Sequence, residues 1–446
     1  MDTSQTSLTP RSRVAYGRDM RRLFNFASGY TPLNHGSFGT IPRIVLEYRA
    51  KLIREWEERE CISLVFEYPR LLKESRALVA PLLGAETDEV VFIPNATTGI
   101  NTVLRNFVYE EGDLIIFPET IYSACRKTVQ SLEETTPVRG YEIDVIYPIE
   151  DDDLVELFRA TARKLADKGH RIRIAIFDTI ASRPGVRVPW EKIVVACREL
   201  GILSVIDGAH AIGHIDMTHT GQVKPDFLVS NCHKWLFAPR PCAVFYVPFA
   251  NQHLIGTATP TSHGYLEPSI RNSTGESQYF TELFSNGSTL DVTPYVTVPA
   301  ALRFRDEICG GEAQIWSHCV RLAREGGDMV AAILSTEVLD NKSGSLRSGC
   351  AFANVRLPVS VTSEVGGDGE GLPREDVDKA IKWFYATTAN EFDTYLQTFF
   401  YKGALWTRLS AQVYLEMPDF VWAAATLKDL CERLREGEWR SFEQRW

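Results

Sequence analysis

The sequence predicts an α/β fold in which a mostly parallel, seven-stranded type of sheet is sandwiched by helices and followed by a smaller α+β domain. Three observations predict it. Between residues 89 and 248, seven short apolar, β-branched runs recur, and helical stretches separate most of them. Polar residues cluster immediately after these runs, where open α/β sheets place their ligands. Beyond about residue 295 the texture changes to long helical stretches around the strand-like FANVRLP (352–358) and TRLSAQVYL (407–415).

In order along the chain, residues 1–30 read as an arm whose polar start gives way to Leu23–Phe24–Asn25–Phe26. A Gly-rich turn, Asn34–His35–Gly36–Ser37–Phe38–Gly39, precedes Pro42, which opens a helical pattern through IVLEYRAKLIREWEERE. LLKESRALVAPLLG is a second helix closed by Gly84. The strand runs are EVVFIP (89–94), DLIIFPE (113–119), EIDVIYPI (142–149), RIRIAIFD (171–178), ILSVIDG (202–208), DFLVSN (226–231) and CAVFYVP (242–248). Glu150–Asp153 places acid at the start of a helix, which suits its positive end. TSEVGGDGEGLPRED (362–376) is a loop, and KAIKWFYATTANEF and AATLKDLCERLREGE are helical. The expected organisation is an arm over 1–30, a large domain over 31–295 and a small domain over 296–446.

Composition narrows the function classes. Of 446 residues, 44% are hydrophobic, enough for a large core. Lys plus Arg is 48 and Asp plus Glu 58, a net charge of −10 that argues against coating nucleic acid or an anionic membrane. No apolar stretch reaches a bilayer-spanning length, and the first residues carry no apolar signal core. Nine cysteines form no disulfide framework, and Cys232 and Cys242 lack metal-ligand spacing. The expectation is a cytoplasmic enzyme with reduced thiols and no metal.

Three places carry chemistry. Ser230–Asn231–Cys232–His233–Lys234–Trp235 puts a lysine at the end of an interior strand. It is either a lysine reaching out to water or a Schiff-base nucleophile whose depressed pKa follows from burial. Asp207 ends ILSVID; it is either a helix cap or a carboxylate that keeps the ring nitrogen of pyridoxal 5'-phosphate (PLP) protonated. His210, three residues on, is placed to donate to a phenolic oxygen or to stack. Asn95–Ala96–Thr97–Thr98–Gly99 is a strand-to-helix turn, either simply capped or holding a phosphate. No GxxxxGK[ST] and no GxGxxG after a strand is present, which disfavours nucleoside triphosphates and dinucleotides.

Phosphate turn, Asp and Lys in this order on one α/β sheet resemble the fold-type I PLP enzymes, specifically the class V aminotransferase and cysteine desulfurase family. Within it the sequence is most similar to the isopenicillin N epimerase-like branch and the fungal hercynylcysteine sulfoxide lyases of ergothioneine synthesis. The resemblance spans about residues 20–440 and rests on LNHGSFG (33–39), NATTGINTVLRN (95–106), TIYSAC (120–125), DGAHAIGHID (207–216), SNCHKW (230–235), PTSHG (260–264) and WTRLSAQVY (406–414).

The resemblance implies that Lys234 forms the Schiff base and later moves the Cα proton, that Asp207 pairs with the pyridine nitrogen, and that His210 lies near the cofactor's 3-oxygen. Ala96 and Thr97 would hold the phosphate with help from His233, and Ser182 and Asn231 would complete the cofactor site. Tyr122 would stack on the ring, its hydroxyl free to protonate a leaving group. Arg408 would clamp the substrate α-carboxylate, though an arginine on an alternating strand is also an ordinary surface residue. Asn34 would form the substrate-side lip, and Thr289 would reach the phosphate of a partner subunit in a homodimer with both sites at the interface. The implied reaction on a small amino-acid substrate is cleavage of a Cβ–S bond in a cysteine-derived conjugate. β/γ-Replacement or cyclisation in alkaloid synthesis and amino-acid epimerisation are the other branches. The sequence departs from the family at Ser288–Thr289, where Gly-Thr is usual, at Arg59–Leu64, where an Arg-Pro pair and a Phe are usual, and at Pro241, often glycine.

Overall fold

The structure, a computed structural model, describes residues 13–271, 276–285, 289–362 and 371–443. Among these, two sheets organise the chain. The larger contains β1 (Val90–Ile93), β2 (Asp113–Pro118), β3 (Arg139–Ile143), β4 (Arg171–Asp178), β5 (Leu203–Asp207), β6 (Phe227–Asn231) and β7 (Ala243–Tyr246), in the spatial order β1-β7-β6-β5-β4-β2-β3. β3, β2, β4, β5 and β6 run parallel, and β7 is antiparallel to both of its neighbours.

The two-residue period of a strand explains how this sheet is covered. Ile174 and Ile176 of β4 enter one core with the helices Ala96–Arg105 and Ser123–Glu133. The intervening Ala175 and Phe177 enter another with the helices Asp151–Asp167 and Trp190–Leu200. Central strands buried on both faces therefore read as unbroken apolar runs.

The smaller sheet contains β8 (Phe352–Thr362), β9 (Leu372–Pro373), β10 (Gln397–Tyr401) and β11 (Ala404–Ser410), ordered β10-β11-β8-β9. Helices Glu312–Leu334, Val377–Phe392 and Met417–Arg435 share its core. The β10–β11 hairpin turns on Lys402 and Gly403, both at positive φ, the backbone a two-residue hairpin requires.

Two expectations change. The third strand lies over 139–143, not 142–149. It is an edge strand and so carries exposed polar residues, whereas the apolar Val145 and Tyr147 are buried beyond its end. The Tyr147 amide donates to the Tyr401 hydroxyl at 2.7 Å, so the apolar run there serves contact with the smaller sheet. The arm packs rather than standing apart: Phe24 is 5.6 Å from Phe237 and 4.8 Å from Tyr414, ring to ring, and the Gly17 amide donates to the Val413 carbonyl at 2.8 Å. Residues 363–370 of the Gly-rich acidic loop lie outside the described residues.

Arg305 ties the later part of the chain to the segment around Lys234. It is buried and donates to the carbonyls of Trp235 at 2.7 Å and Gly213 at 2.9 Å, while pairing with Glu312. Arg305→Met is expected to lower apoprotein stability by about 2–3 kcal/mol, because two buried carbonyls lose their donor. Urea unfolding at fixed protein concentration checks this; an unchanged midpoint would show that the tie carries no weight.

Candidate active site

The C-terminal ends of β4, β5 and β6 bring the chemistry together. β6 ends at Asn231 and leads directly into the single helical turn Cys232–Trp235. Lys234 lies deep among these elements with part of its side chain open to the cleft. Burial, joined by the Arg408 charge, lowers its ammonium to about 8 against the attraction of Asp207 and Asp178. Gly39 sets how closely the Gly-rich turn approaches: at φ +66°, a Cβ there would lie 1.9 Å from the His233 carbonyl oxygen and 2.8 Å from the Lys234 Cα.

Asp207 is 2% exposed. Its Oδ1 accepts the Ala209 amide at 2.9 Å, and the Cys125 thiol lies 3.4 Å from its Oδ2. In register beside it on β4 stands Asp178, equally buried, whose Oδ2 has no partner among the described residues. Two buried carboxyls side by side cannot both ionise cheaply. Burial and the Asp207 charge push Asp178 well above the usual carboxylate range; burial also raises Asp207, opposed by the Ala209 amide, Lys234 and Cys125. Of the two, Asp178 is pushed up further and Asp207 is the better anion.

His210 has its tautomer assigned by its neighbours. Its Nδ1 accepts from the indole Nε1–H of Trp235 at 3.3 Å, and that indole can only donate. Burial, with the charges of Lys234 and Arg408, holds the ring well below its ordinary value and hence neutral. The proton must then sit on Nε2, which lies 3.5 Å from the Lys234 Nζ. Trp235 is itself fixed by His214, stacked on it at 3.8 Å, whose Nε2 accepts the Ala351 amide at 2.7 Å.

At the phosphate turn, Asn95 caps the helix by accepting the Thr98 amide at 2.8 Å, and Asn231 accepts the Ala96 amide at 2.9 Å. That leaves the Thr97 amide and hydroxyl without partners among the described residues, at the positive end of a ten-residue helix. His233 instead turns Nδ1 toward the Cys242 carbonyl at 2.8 Å, and burial lowers it to about 4. The same Nδ1 lies 3.3 Å from the Cys242 amide, which donates to it in the other tautomer and leaves Nε2–H on a neutral ring.

Arg408 on β11 is 1% exposed and pairs with no carboxylate among the described residues. Its Nη1 donates to the Ser182 carbonyl at 2.6 Å and its Nη2 to the Ser37 hydroxyl at 3.0 Å and the Asn34 Oδ1 at 3.4 Å, while Nε has no partner. The guanidinium lies 4.4 Å from the Phe352 ring centroid, and burial lowers it to about 10. An unneutralised guanidinium this deep is a receptor for an anion.

Tyr122 caps the helix that carries Cys125, is 43% exposed, and its hydroxyl has no partner among the described residues. Thr289 is exposed at the surface, without a hydrogen bond to Thr97 among the described residues, and Ser288 lies outside the described residues. Asp178, Trp235 and Phe352 received no role from the sequence. Asp178 carried the same signal as Asp207, an acid closing an apolar strand, whereas the importance of Phe352 depends on domain packing that no local pattern records.

The residues fit PLP: a free amide and hydroxyl at a helix start for phosphate, a buried carboxylate for a protonated ring nitrogen, and an amine able to lose its proton. Lys234 in the apoprotein is expected to react with formaldehyde and cyanoborohydride with a midpoint near pH 8. A lowered pKa means that the free amine appears about two units earlier than on ordinary lysines near 10.4. Mass-spectrometric peptide mapping across pH checks this, and a midpoint near 10 would contradict it.

Comparison with known proteins finds relatives along most of the chain. The chain is 36% identical over 452 residues to the L-cysteine desulfhydrase-like protein lolT1 of Epichloe uncinata, covering 96% of this chain and 98% of that one. It is 33% identical over 419 residues to the hercynylcysteine sulfoxide lyase of Schizosaccharomyces pombe, covering 93% and 98%. Among solved structures, a C-DES mutant with glycine covalently linked to its PLP cofactor superposes with a TM-score of 0.71 at 16% identity, covering 92% of this chain and 99% of that one. The aminotransferase class-V family model matches residues 42–357, and this protein belongs to that family.

Proposed function

We propose that this protein is a PLP-dependent lyase that breaks the Cβ–S bond of an L-cysteine-derived conjugate. The observation that carries the reading is the meeting, in one cleft, of the Lys234 amine with its lowered pKa and the Arg408 guanidinium that has no carboxylate of its own. The lyase branch is supported by the two relatives named as a cysteine desulfhydrase-like protein and a hercynylcysteine sulfoxide lyase. It is supported further by the cysteines: eight of nine are buried, Cys350 among them, so the thiol nearest the second domain's strand is poorly placed to carry sulfur away.

When bound, PLP supplies an electron sink conjugated to the substrate Cα. The Thr97 amide and hydroxyl would hold its phosphate end, with Asn231 beside them, and His210 and Ser182 would lie at the ring. Asp207, the better anion of the buried pair, would keep a proton on the ring nitrogen. Arg408 receives the α-carboxylate in place of the partner it lacks, which fixes the Cα–H bond relative to the amine of Lys234. With a pKa of about 8, roughly a tenth of that amine is free base at pH 7 and can take the Cα proton. As the Cβ–S bond breaks, sulfur leaves with the bonding pair, and we assign its protonation to the Tyr122 hydroxyl. Hydrolysis of the remaining three-carbon fragment gives pyruvate and ammonia.

The same reading makes the assembly a homodimer. Phe66 is 72% and Phe38 71% exposed, and Leu64, Val65, Tyr122 and Leu290 are also open, apolar side chains that a second copy could cover. Thr289 would then serve the partner's phosphate. A cytosolic location belongs to this reading, supported by nine cysteines without a disulfide; among the described residues no helix is long and apolar enough to cross a membrane.

Incubated with S-substituted cysteines and their sulfoxides in D₂O, the holoenzyme is expected to release pyruvate and ammonia. Tyr122→Phe should slow release by about 10²-fold while Cα–H exchange continues, because exchange needs only the lysine and the sink. Absence of pyruvate from every cysteine conjugate, with a joined product from O-activated homoserines or inversion at Cα instead, would overturn the lyase reading.

A further inference from the structure

The turn between Ile180 and Arg187 wraps Arg408. An isolated bridge pairs its two ends, and Asn354 on β8 closes both backbone groups of Gly185, accepting its amide and donating to its carbonyl at 2.8 Å each. The Ser182 carbonyl accepts from Arg408, and a Cβ on Gly185 would lie 2.6 Å from the Arg408 Cδ. The turn is therefore fixed against the guanidinium that we assign to the α-carboxylate, and its next residue after Ser182 is Arg183.

Arg183 is exposed, with no hydrogen bond or ion pair among the described residues. Its charge acts on Arg408, where it is the largest charged influence, and on Tyr385 and Tyr395. Those two rings stack at 4.7 Å, and Gln397 donates to the Tyr385 hydroxyl at 2.6 Å, so the wall beside Arg183 is ordered. Neither Arg408 nor Arg183 pairs with a carboxylate among the described residues, and Arg183 directly follows Ser182, whose carbonyl accepts from Arg408. Two like-charged guanidiniums thus belong to one fixed turn and its contact without a counter-ion, and a single α-carboxylate neutralises one of them.

We propose that Arg183 is a specificity-determining residue that binds a second anionic group, carried on the sulfur substituent of the substrate. The preferred substrates are then S-conjugates of cysteine whose outer end bears a carboxylate or a comparable anion, and neutral S-alkyl cysteines are poorer. The inference rests on the lyase reading for the sulfur and on Arg408 for the α-carboxylate, and it is tested separately from both.

Two matched pairs of probes serve the holoenzyme. S-Carboxymethyl-L-cysteine and S-ethyl-L-cysteine report pyruvate release, and their carbon analogues L-2-aminoadipate and L-norleucine, which cannot lose sulfur, report equilibrium binding by calorimetry. The wild type is expected to favour the charged member of each pair. Arg183→Gln should reduce both preferences about tenfold or more, Arg183→Glu should invert them, and Arg183→Lys should retain part. If Arg183→Gln shifts both members of a pair equally, or the wild type binds norleucine as tightly as aminoadipate, the second anion subsite is overturned. A change in sedimentation on Arg183→Gln with unaltered preferences would make Arg183 a subunit contact and overturn it equally. Aminoadipate binding that depends on Arg183 without pyruvate from either conjugate would uphold the subsite and remove the lyase reading. Pyruvate release with preferences insensitive to Arg183 would do the reverse.

Discussion

A primary amine at the end of β6 has to be buried deeply enough to lose its proton near neutral pH and yet remain within reach of a substrate. Desolvation alone would drive Lys234 further down; Asp207 and Asp178 pull it back, and the balance leaves it at about 8. Much of the surrounding structure serves that balance. Gly39 presses the Gly-rich turn onto the Lys234 backbone, Arg305 holds the Trp235 carbonyl from the C-terminal side, and His214 stacks on Trp235, which in turn fixes the tautomer of His210. A helical turn of four residues has little stability of its own. Its position is set by contacts from distant parts of the chain.

The same contacts join the two sheets. Phe352, the first residue of β8, lies 5.3 Å from Trp235, 5.2 Å from His210 and 4.4 Å from the Arg408 guanidinium, and Gly36 is glycine where a Cβ would lie 2.3 Å from that ring. Trp235, next to the amine in the chain, and the guanidinium thus come from segments at different sheets but pack on one aromatic ring. A rigid spacer of this kind fixes where a Cα–H bond would lie once the carboxylate is seated. Burial of Arg408 without a counter-ion costs the folded chain stability, which an anion in the cleft would return.

What could be read from the sequence followed from local chemistry. The apolar runs ending in Asp207 and Asn231 announced central strands, and the polar residues behind them announced the cleft, because burial on both faces leaves a continuous signature. The edge strand over 139–143 escaped since an exposed edge is polar, and the apolar run after it answered to the Tyr401 contact instead. β10 was missed although its hairpin turn, Lys402–Gly403, is short and regular. At the site, Lys234, Asp207, His210, Asn231 and Arg408 converge. Asp178 was legible as an acid closing a strand but was passed over, its meaning arising only from the register that sets it beside Asp207. Thr289 is exposed and makes no hydrogen bond to the phosphate turn among the described residues, and a contact with a second chain is not something a single chain's local pattern can display.

The central claim is that this balance of burial and charge makes Lys234 the residue that binds PLP. The most direct measurement is to incubate the apoprotein with PLP, reduce with borohydride, digest, and locate the pyridoxyl group by peptide mapping. One equivalent per chain on the peptide containing Lys234 is the predicted result. Label on another lysine, or label scattered at low yield over surface lysines, would contradict the account.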